Sequence, residues 1–435
     1  MSERPSSVKN MPLVRFREAG GFWLAGISAV LLLTLLPFSS YIVSLPFIQT
    51  EWQMNNAQAA IIFSSYLLGN AIAALILVPM TDRLAPQRVY LAGIIVLTLS
   101  NFLFPLLAWN MWSGALLRFV AGSGHIAAYV PGIQLVSRRF SGGKRGTAVG
   151  IFVSAGYAGT TLSYTFMGLL LNLAPSWRTA YFVTALVGLL ALPLLVPLLR
   201  AREADAVTST AASLSQQGPQ KRVAINLAVL RNPAVVLIIM AYTLHTAELY
   251  IARLWFPSLL GDALARQGMA ALEATALAAT WTGFMFMMGI VGVLAGGFIS
   301  DQLGRSYGAG LIFTISGVCS FAVGWLLEAP AFVIIAIGFV YGFMTAADSA
   351  IYSTAVTELS PPERVGSTQA VQSFIGFAVG AVLPVLVGSI LDATQTASAW
   401  GWAFSFNGLL AVLGVATLIW LKRLPEAAQM AAGKG

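Results

Sequence analysis

Charge is what this sequence has least of. Of its 435 residues, 9% are Asp, Glu, Lys or Arg, whereas a soluble domain carries about 25% to keep its surface in water. With 58% hydrophobic residues and a mean hydropathy of +0.81, the chain cannot cover a soluble surface of its size. Lipid is therefore the solvent for much of it. Cysteine is nearly absent too. The single Cys319 excludes an intrachain disulfide and a cysteine metal site. The two histidines, His125 and His245, lie far apart in sequence, which argues against zinc. No nucleophile–base pair, phosphate loop or metal cluster can be read in the sequence, so neither an enzyme nor a cofactor is expected.

What the sequence has is long apolar runs. In lipid only helices or closed barrels satisfy their own backbone, and these runs are continuous rather than alternating, so helices are expected. Runs of about 20 apolar residues can span a bilayer, and they fall near 22–48, 57–80, 88–108, 111–138, 146–172 and 177–199, then near 232–257, 274–300, 308–327, 330–357, 365–391 and 399–421. The first is too long for a signal-peptide core and has no small-residue cleavage site, so it is read as a retained helix. The segment between the two sets is polar and rich in Ser, Thr, Ala and Gln, as a flexible linker would be. The expected organisation is a terminus at 1–21, a six-helix bundle at 22–200, a linker at 201–231, a second bundle at 232–421 and a terminus at 422–435.

The net charge of +8 would suit nucleic acid, but its distribution excludes that reading. With the N-terminus on the cytoplasmic side, 20 of the 24 Lys and Arg fall on cytoplasmic segments. Only Arg178 and Arg266 fall on the other side, and Arg118 and Arg253 lie within helices. Basic residues accumulate on the cytoplasmic side of membrane proteins, so both termini are expected there, in a multi-pass protein of the cell membrane.

The chain also aligns with itself at an offset near 220. Arg118-Phe-Val-Ala-Gly122 falls on Gly338-Phe-Val-Tyr-Gly342, Gly156 on Gly376, and Asp82 on Asp301. Tyr41 falls on Tyr250 at a shorter offset of 209, a difference assigned to a longer loop after the seventh helix. Two like halves in one orientation place a cavity between them near the midplane, served by rocking of one half against the other. Pro46 and Pro257 leave the carbonyls of Ile42 and Arg253 without helical donors, so bends are expected near the outer ends of helices one and seven.

Two motifs make a resemblance specific. Gly297-Phe-Ile-Ser-Asp301-Gln-Leu-Gly304-Arg305 lies after the second helix of its half, and the first-half copy keeps Asp82-Arg83 without the glycines. In the fourth helix stands Arg118-Phe-Val-Ala-Gly122-Ser-Gly124. Together they resemble the loop signature and the Arg-x-x-x-Gly-x-Gly segment of the major facilitator superfamily. The resemblance covers nearly the whole chain. It implies an all-α membrane protein of twelve helices in two pseudo-symmetric six-helix bundles, working as a secondary transporter by alternating access. It also implies a gate at Asp82, Arg83, Gly297, Asp301, Gly304 and Arg305, where glycine permits close helix approach and the acid faces the positive end of a neighbouring helix.

Ionisable residues within membrane helices are costly and need a reason. Here they are Arg118 and His125 in helix four, His245, Glu248 and Arg253 in helix seven, and Asp348 in helix ten. Arg118 and Arg253, the fixed cations, suit an organic or inorganic anion. Glu248 or Asp348 suits a proton carrier, with the histidines as relays. Structural roles stand beside these: Glu248 as partner of Arg253, the histidines as packing residues. Tyr41, Tyr157, Tyr250 and Trp255 could line the cavity. The expected partners are a small solute, protons and the bilayer, with the protein acting as a monomer. An efflux antiporter for cationic or neutral compounds, and a non-transporting assembly factor or sensor on the same fold, are the alternatives.

Overall fold

The structure, a computed structural model, describes residues 20–80, 85–140, 144–173, 176–199, 227–361, 364–394, 396 and 398–435. Asp82 and Arg83, residues 1–19 of the N-terminus and the linker up to residue 226 lie outside the described residues. Among the described residues, twelve long helices follow one another. The first six are α1 (Phe22–Trp52), α2 (Asn56–Met80), α3 (Pro86–Leu107), α4 (Met111–Arg139), α5 (Lys144–Leu173) and α6 (Trp177–Leu199). The second six are α7 (Pro233–Arg266), α8 (Ala271–Leu303), α9 (Arg305–Trp325), α10 (Ala331–Leu359), α11 (Val365–Ala393) and α12 (Ala399–Lys422). Eleven of them are long and apolar enough to cross a membrane, and α5 is the twelfth long helix.

Local chemistry sets several boundaries. Asn110 caps α4 by accepting from Ser113 N at 2.9 Å, and the Asn110 N–H donates in turn to the Ser113 hydroxyl oxygen, completing a capping box. Pro233 opens α7 at a position where no backbone donor is needed. Gly304, at φ +94°, lets the chain turn from α8 into α9, a conformation that costs other residues dearly.

The helix interruptions fall elsewhere than expected. α7 runs unbroken through Pro257. α1 is interrupted at 36–39, ahead of Pro46, because Pro37 has no N–H to give. Tighter bonds replace the helical ones there, such as Phe38 N to Leu35 O at 3.0 Å. α10 breaks at Asp348, between Ala331–Ala347 and Ser349–Leu359. The difference in repeat offset also has another cause. The link from α7 to α8 is only 267–270, and the extra residues lengthen the facing ends of α7 and α8 as helix. Helix satisfies its own backbone groups, which a loop at the membrane boundary would not.

Within the bundles, α4 packs against α2 and α3, α9 against α12, and α8 against α10. Between the bundles, α2 lies along α11 and α5 along α8. One face carries the basic helix ends, among them Arg138, Arg139 and Lys422; we call it the basic face, and its opposite the far face. The bundles meet toward the far face, where a Cβ at Gly168 of α5 would lie 2.6 Å from the Ala276 carbonyl oxygen of α8. Toward the basic face several glycines stand open. A Cβ at Gly146, Gly150, Gly297 or Gly366 would meet no atom within 4 Å. Pro46 and Pro257 both line a pocket of about 110 Å³ left in the far-face seam.

Candidate functional site

Arg118 is fully buried in the N-terminal bundle. Close packing of α4 on α2 carries it there, since a Cβ at Gly122 would overlap the Tyr66 carbonyl oxygen. Its guanidinium lies over the rings of Tyr66, Tyr41 and Phe38, at 4.5, 5.8 and 5.9 Å from their centroids. Nη2 donates to the Phe38 carbonyl at 3.2 Å, within the α1 interruption, so the break near Pro37 supplies a partner to the arginine. Nε and Nη1 meet no acceptor in hydrogen-bonding geometry, the Tyr181 hydroxyl stands near the guanidinium, and no carboxylate pairs with Arg118 among the described residues. Aromatic faces stabilise a cation without neutralising it. His125, seven residues on, tilts against Tyr66 at 5.7 Å and Tyr129 at 5.9 Å, which puts it on the face of α4 expected from its spacing.

Arg253 lies between the bundles. Its guanidinium stands 5.2 Å from the ring of Tyr157 on α5 and 6.0 Å from Tyr250 on its own helix, and it too has no carboxylate partner among the described residues. Pro257 leaves the Arg253 carbonyl without a helical donor. The Tyr164 hydroxyl supplies one from the other bundle at 2.8 Å. Electrostatically, His125 and Tyr164 are in range of both arginines.

The two carboxylates sit apart from the arginines in two polar clusters of the C-terminal bundle. Asp348, placed at the α10 break, has Oδ1 3.0 Å from His245 Nδ1 and accepts from the Tyr352 hydroxyl through Oδ2 at 2.8 Å. His245 Nε2 lies 3.0 Å from Ser349 Oγ. Glu248 accepts from Ser316 Oγ through Oε1 at 2.6 Å, and the Tyr341 hydroxyl stands close to the same carboxylate. Glu248 therefore does not pair with Arg253, five residues away and on another face of the helix. It is a buried acid with no Lys or Arg paired to it among the described residues.

The four aromatic residues divide. Tyr157 and Tyr250 face Arg253, and Tyr41 joins the rings around Arg118 while donating to Ala59 O at 2.7 Å. Trp255 is a packing residue instead. It is 1% exposed, donates to Pro384 O at 3.1 Å and rests on Trp400. Sequence reasoning passed over Tyr66, Ser316 and Tyr352, whose roles depend on contacts between helices. It also passed over Asn70, a buried amide with neither side-chain atom partnered; an amide inside an apolar run was signal enough to find it.

At the basic face the loop motif behaves differently from the expectation. Gly297 has open space around it, and the close approach is made by Gly296, whose Cβ would overlap the Ala347 carbonyl oxygen. Asp301 does not meet a neighbouring helix end. Its side chain pairs with Arg305, which also binds Glu358 at 2.8 Å and Ser300 Oγ at 2.8 Å. Arg305 is the stronger attraction because it lies one turn away and is fully charged. The last residues fold over this junction, with Lys434 Nζ donating to Asp301 O at 2.7 Å and Ala431 N to Glu358 Oε2 at 3.1 Å.

The two-bundle fold and the two signatures agree with comparison to known proteins. The family model of the Major Facilitator Superfamily matches residues 27–305 and 268–434, so the chain is a membrane transporter of that superfamily. A hexuronate transporter of Bacillus subtilis is 23% identical over 95% of this chain and 94% of its own. A gallate transporter of Pseudomonas putida is 25% identical over 75% of each chain. Among solved structures, the nucleoside transporter NupG superposes with a TM-score of 0.69 at 14% identity, covering 92% of this chain and 99% of its own.

Proposed function

We propose that this protein carries a small organic anion across the membrane by alternating access, coupled to protons, as a monomer with both termini in the cytoplasm. The observation that carries the reading is the pair of buried arginines, Arg118 and Arg253. Each is faced by aromatic rings, and neither is neutralised by a carboxylate among the described residues. A buried charge is costly to leave unpaired, and a carboxylate solute would complete both sites with charge-assisted hydrogen bonds. Rings of Tyr66, Tyr157 and Tyr250 suit the body of an aromatic or sugar acid, and relatives named for hexuronate and gallate support that class. Glu248 is the proton carrier in this reading. It is buried and has no Lys or Arg paired to it among the described residues, whereas Asp348 is occupied by His245 and Tyr352.

Uptake into proteoliposomes with an imposed pH gradient, alkaline inside, tests the proposal with a panel of hexuronates, aldarates and hydroxybenzoates. Accumulation of one of these acids that collapses with a protonophore is the expected result. Gradient-driven movement of cationic compounds alone would turn the reading to the efflux alternative.

A further inference from the structure

We infer that Asp392 is a gating residue, whose carboxylate clasps the two bundles shut at the far face by capping the first turn of α2 from the opposite bundle. Asp392 stands near the end of α11, and α2 begins at Asn56. Oδ1 accepts from Asn56 N at 2.9 Å and from Asn56 Nδ2 at 2.8 Å, and Oδ2 accepts from Ala57 N at 2.9 Å.

These bonds take up donors that a helix cannot satisfy itself. The first turn of a helix leaves its N–H groups without intrahelical partners, and the dipole there favours an anion. Such groups are ordinarily served by the residue just before the helix. Here Asn55 serves only part of the turn, accepting from Gln58 N at 2.8 Å. The donors of Asn56 and Ala57 are answered from the other bundle. Gln49 Nε2 donates to Asn56 Oδ1 at 3.0 Å, which turns the amide nitrogen of Asn56 toward Asp392. One turn back on α11, a Cβ at Gly388 would lie 2.8 Å from the Asn56 carbonyl, so glycine is what lets the carboxylate reach. No basic side chain pairs with Asp392 among the described residues.

When the far face opens, α2 and α11 separate and all three bonds go together. The clasp therefore favours the state closed at the far face. The other seam there, α5 on α8, closes through small residues: Gly168 against Ala276 and Gly283 against Thr165. The inference rests on the two bundles rocking apart, and not on the identity of the solute or on proton coupling.

Trp109 and Glu328 are exposed at the far face, one on each bundle, and suit spin labels on cysteines introduced as Trp109→Cys and Glu328→Cys. Pulsed electron–electron distances in lipid nanodiscs, without solute, then report far-face opening. The expected wild-type result is one dominant short distance. Asp392→Ala should raise the ratio of the long to the short population about tenfold, equal to about 1.4 kcal/mol. Asn56→Ala removes one of the three bonds and should raise the ratio about threefold. Asp392→Asn keeps the shape and loses the charge; it is the variant to read if the alanine protein does not fold. Distance distributions unchanged in a folded Asp392 variant would overturn the inference, whatever the protein transports.

Discussion

The two bundles share a plan and differ in where they keep charge. Among the described residues, the ionisable core of the N-terminal bundle is Arg118 and His125, a cation among rings with no acid paired to it. That of the C-terminal bundle is His245, Glu248, Arg253 and Asp348, two of them joined to each other. The repeat thus preserves helix positions while it leaves chemistry one-sided. A fixed charge suits binding, because it must be present in every state. A neutralisable acid suits coupling, because it must change between states. In the proposed reading the N-terminal bundle contributes a fixed charge, Arg118, while the C-terminal bundle contributes both a fixed charge, Arg253, and the neutralisable acid, Glu248.

Replacing the N-terminal cation is the severest test of that reading. Arg118→Ala should lower anion affinity at least 100-fold, which corresponds to about 2.7 kcal/mol or more. Arg118→Lys should recover only part of it, because lysine lacks the planar fork that meets a carboxylate twice. Solute-dependent thermal stabilisation and proteoliposome uptake measure both, and unaltered affinity in the alanine protein would remove the anion proposal. On the other bundle, Glu248→Gln should abolish accumulation driven by a pH gradient and spare solute exchange down its own gradient. If coupled uptake survived in this variant, the proton would have to be carried elsewhere.

The histidines sharpen the comparison because each bundle has one. His245 is 2% exposed and serves Asp348 and Ser349, so His245→Ala strands a buried acid and should cost about 3 kcal/mol. His125 rests on tyrosine rings and its Nδ1 has no partner, so His125→Ala should cost nearer 1 kcal/mol. Thermal unfolding in detergent, without solute, ranks the two.

Helices, repeat and arginines were legible in the sequence because each depends on one property read along the chain: apolar length, spacing, or a charge where charge is costly. Partnerships were not, since they depend on which helix faces which. Nearness in sequence offers Arg253 as an alternative partner for Glu248, yet its hydroxyl partner, Ser316, comes from α9. The helix-end acid was expected in the loop motif at Asp301, where Arg305 captures the side chain. The acid that does face a helix end is Asp392, at the other face, in a stretch with no motif to mark it. Pro257 lay between these cases. Its effect on the Arg253 carbonyl followed from proline chemistry, but the donor that answers it could not be read from sequence.

That donor carries the last of the expected effects. The Tyr164 hydroxyl crosses from α5 to a carbonyl that Pro257 has left free, so the N-terminal bundle repairs a defect in the C-terminal one. Tyr164→Phe keeps the ring and leaves the buried carbonyl unmet, at a cost of about 1–2 kcal/mol. Pro257→Ala would return a helical N–H to the same oxygen, and Tyr164→Phe should then cost less than about 0.5 kcal/mol in that background, a non-additivity that a double-mutant cycle reads directly. Both halves of the cycle can be followed by thermal unfolding. Costs that simply add would mean that the hydroxyl and the proline act independently, and that the bond does not hold the bundles together.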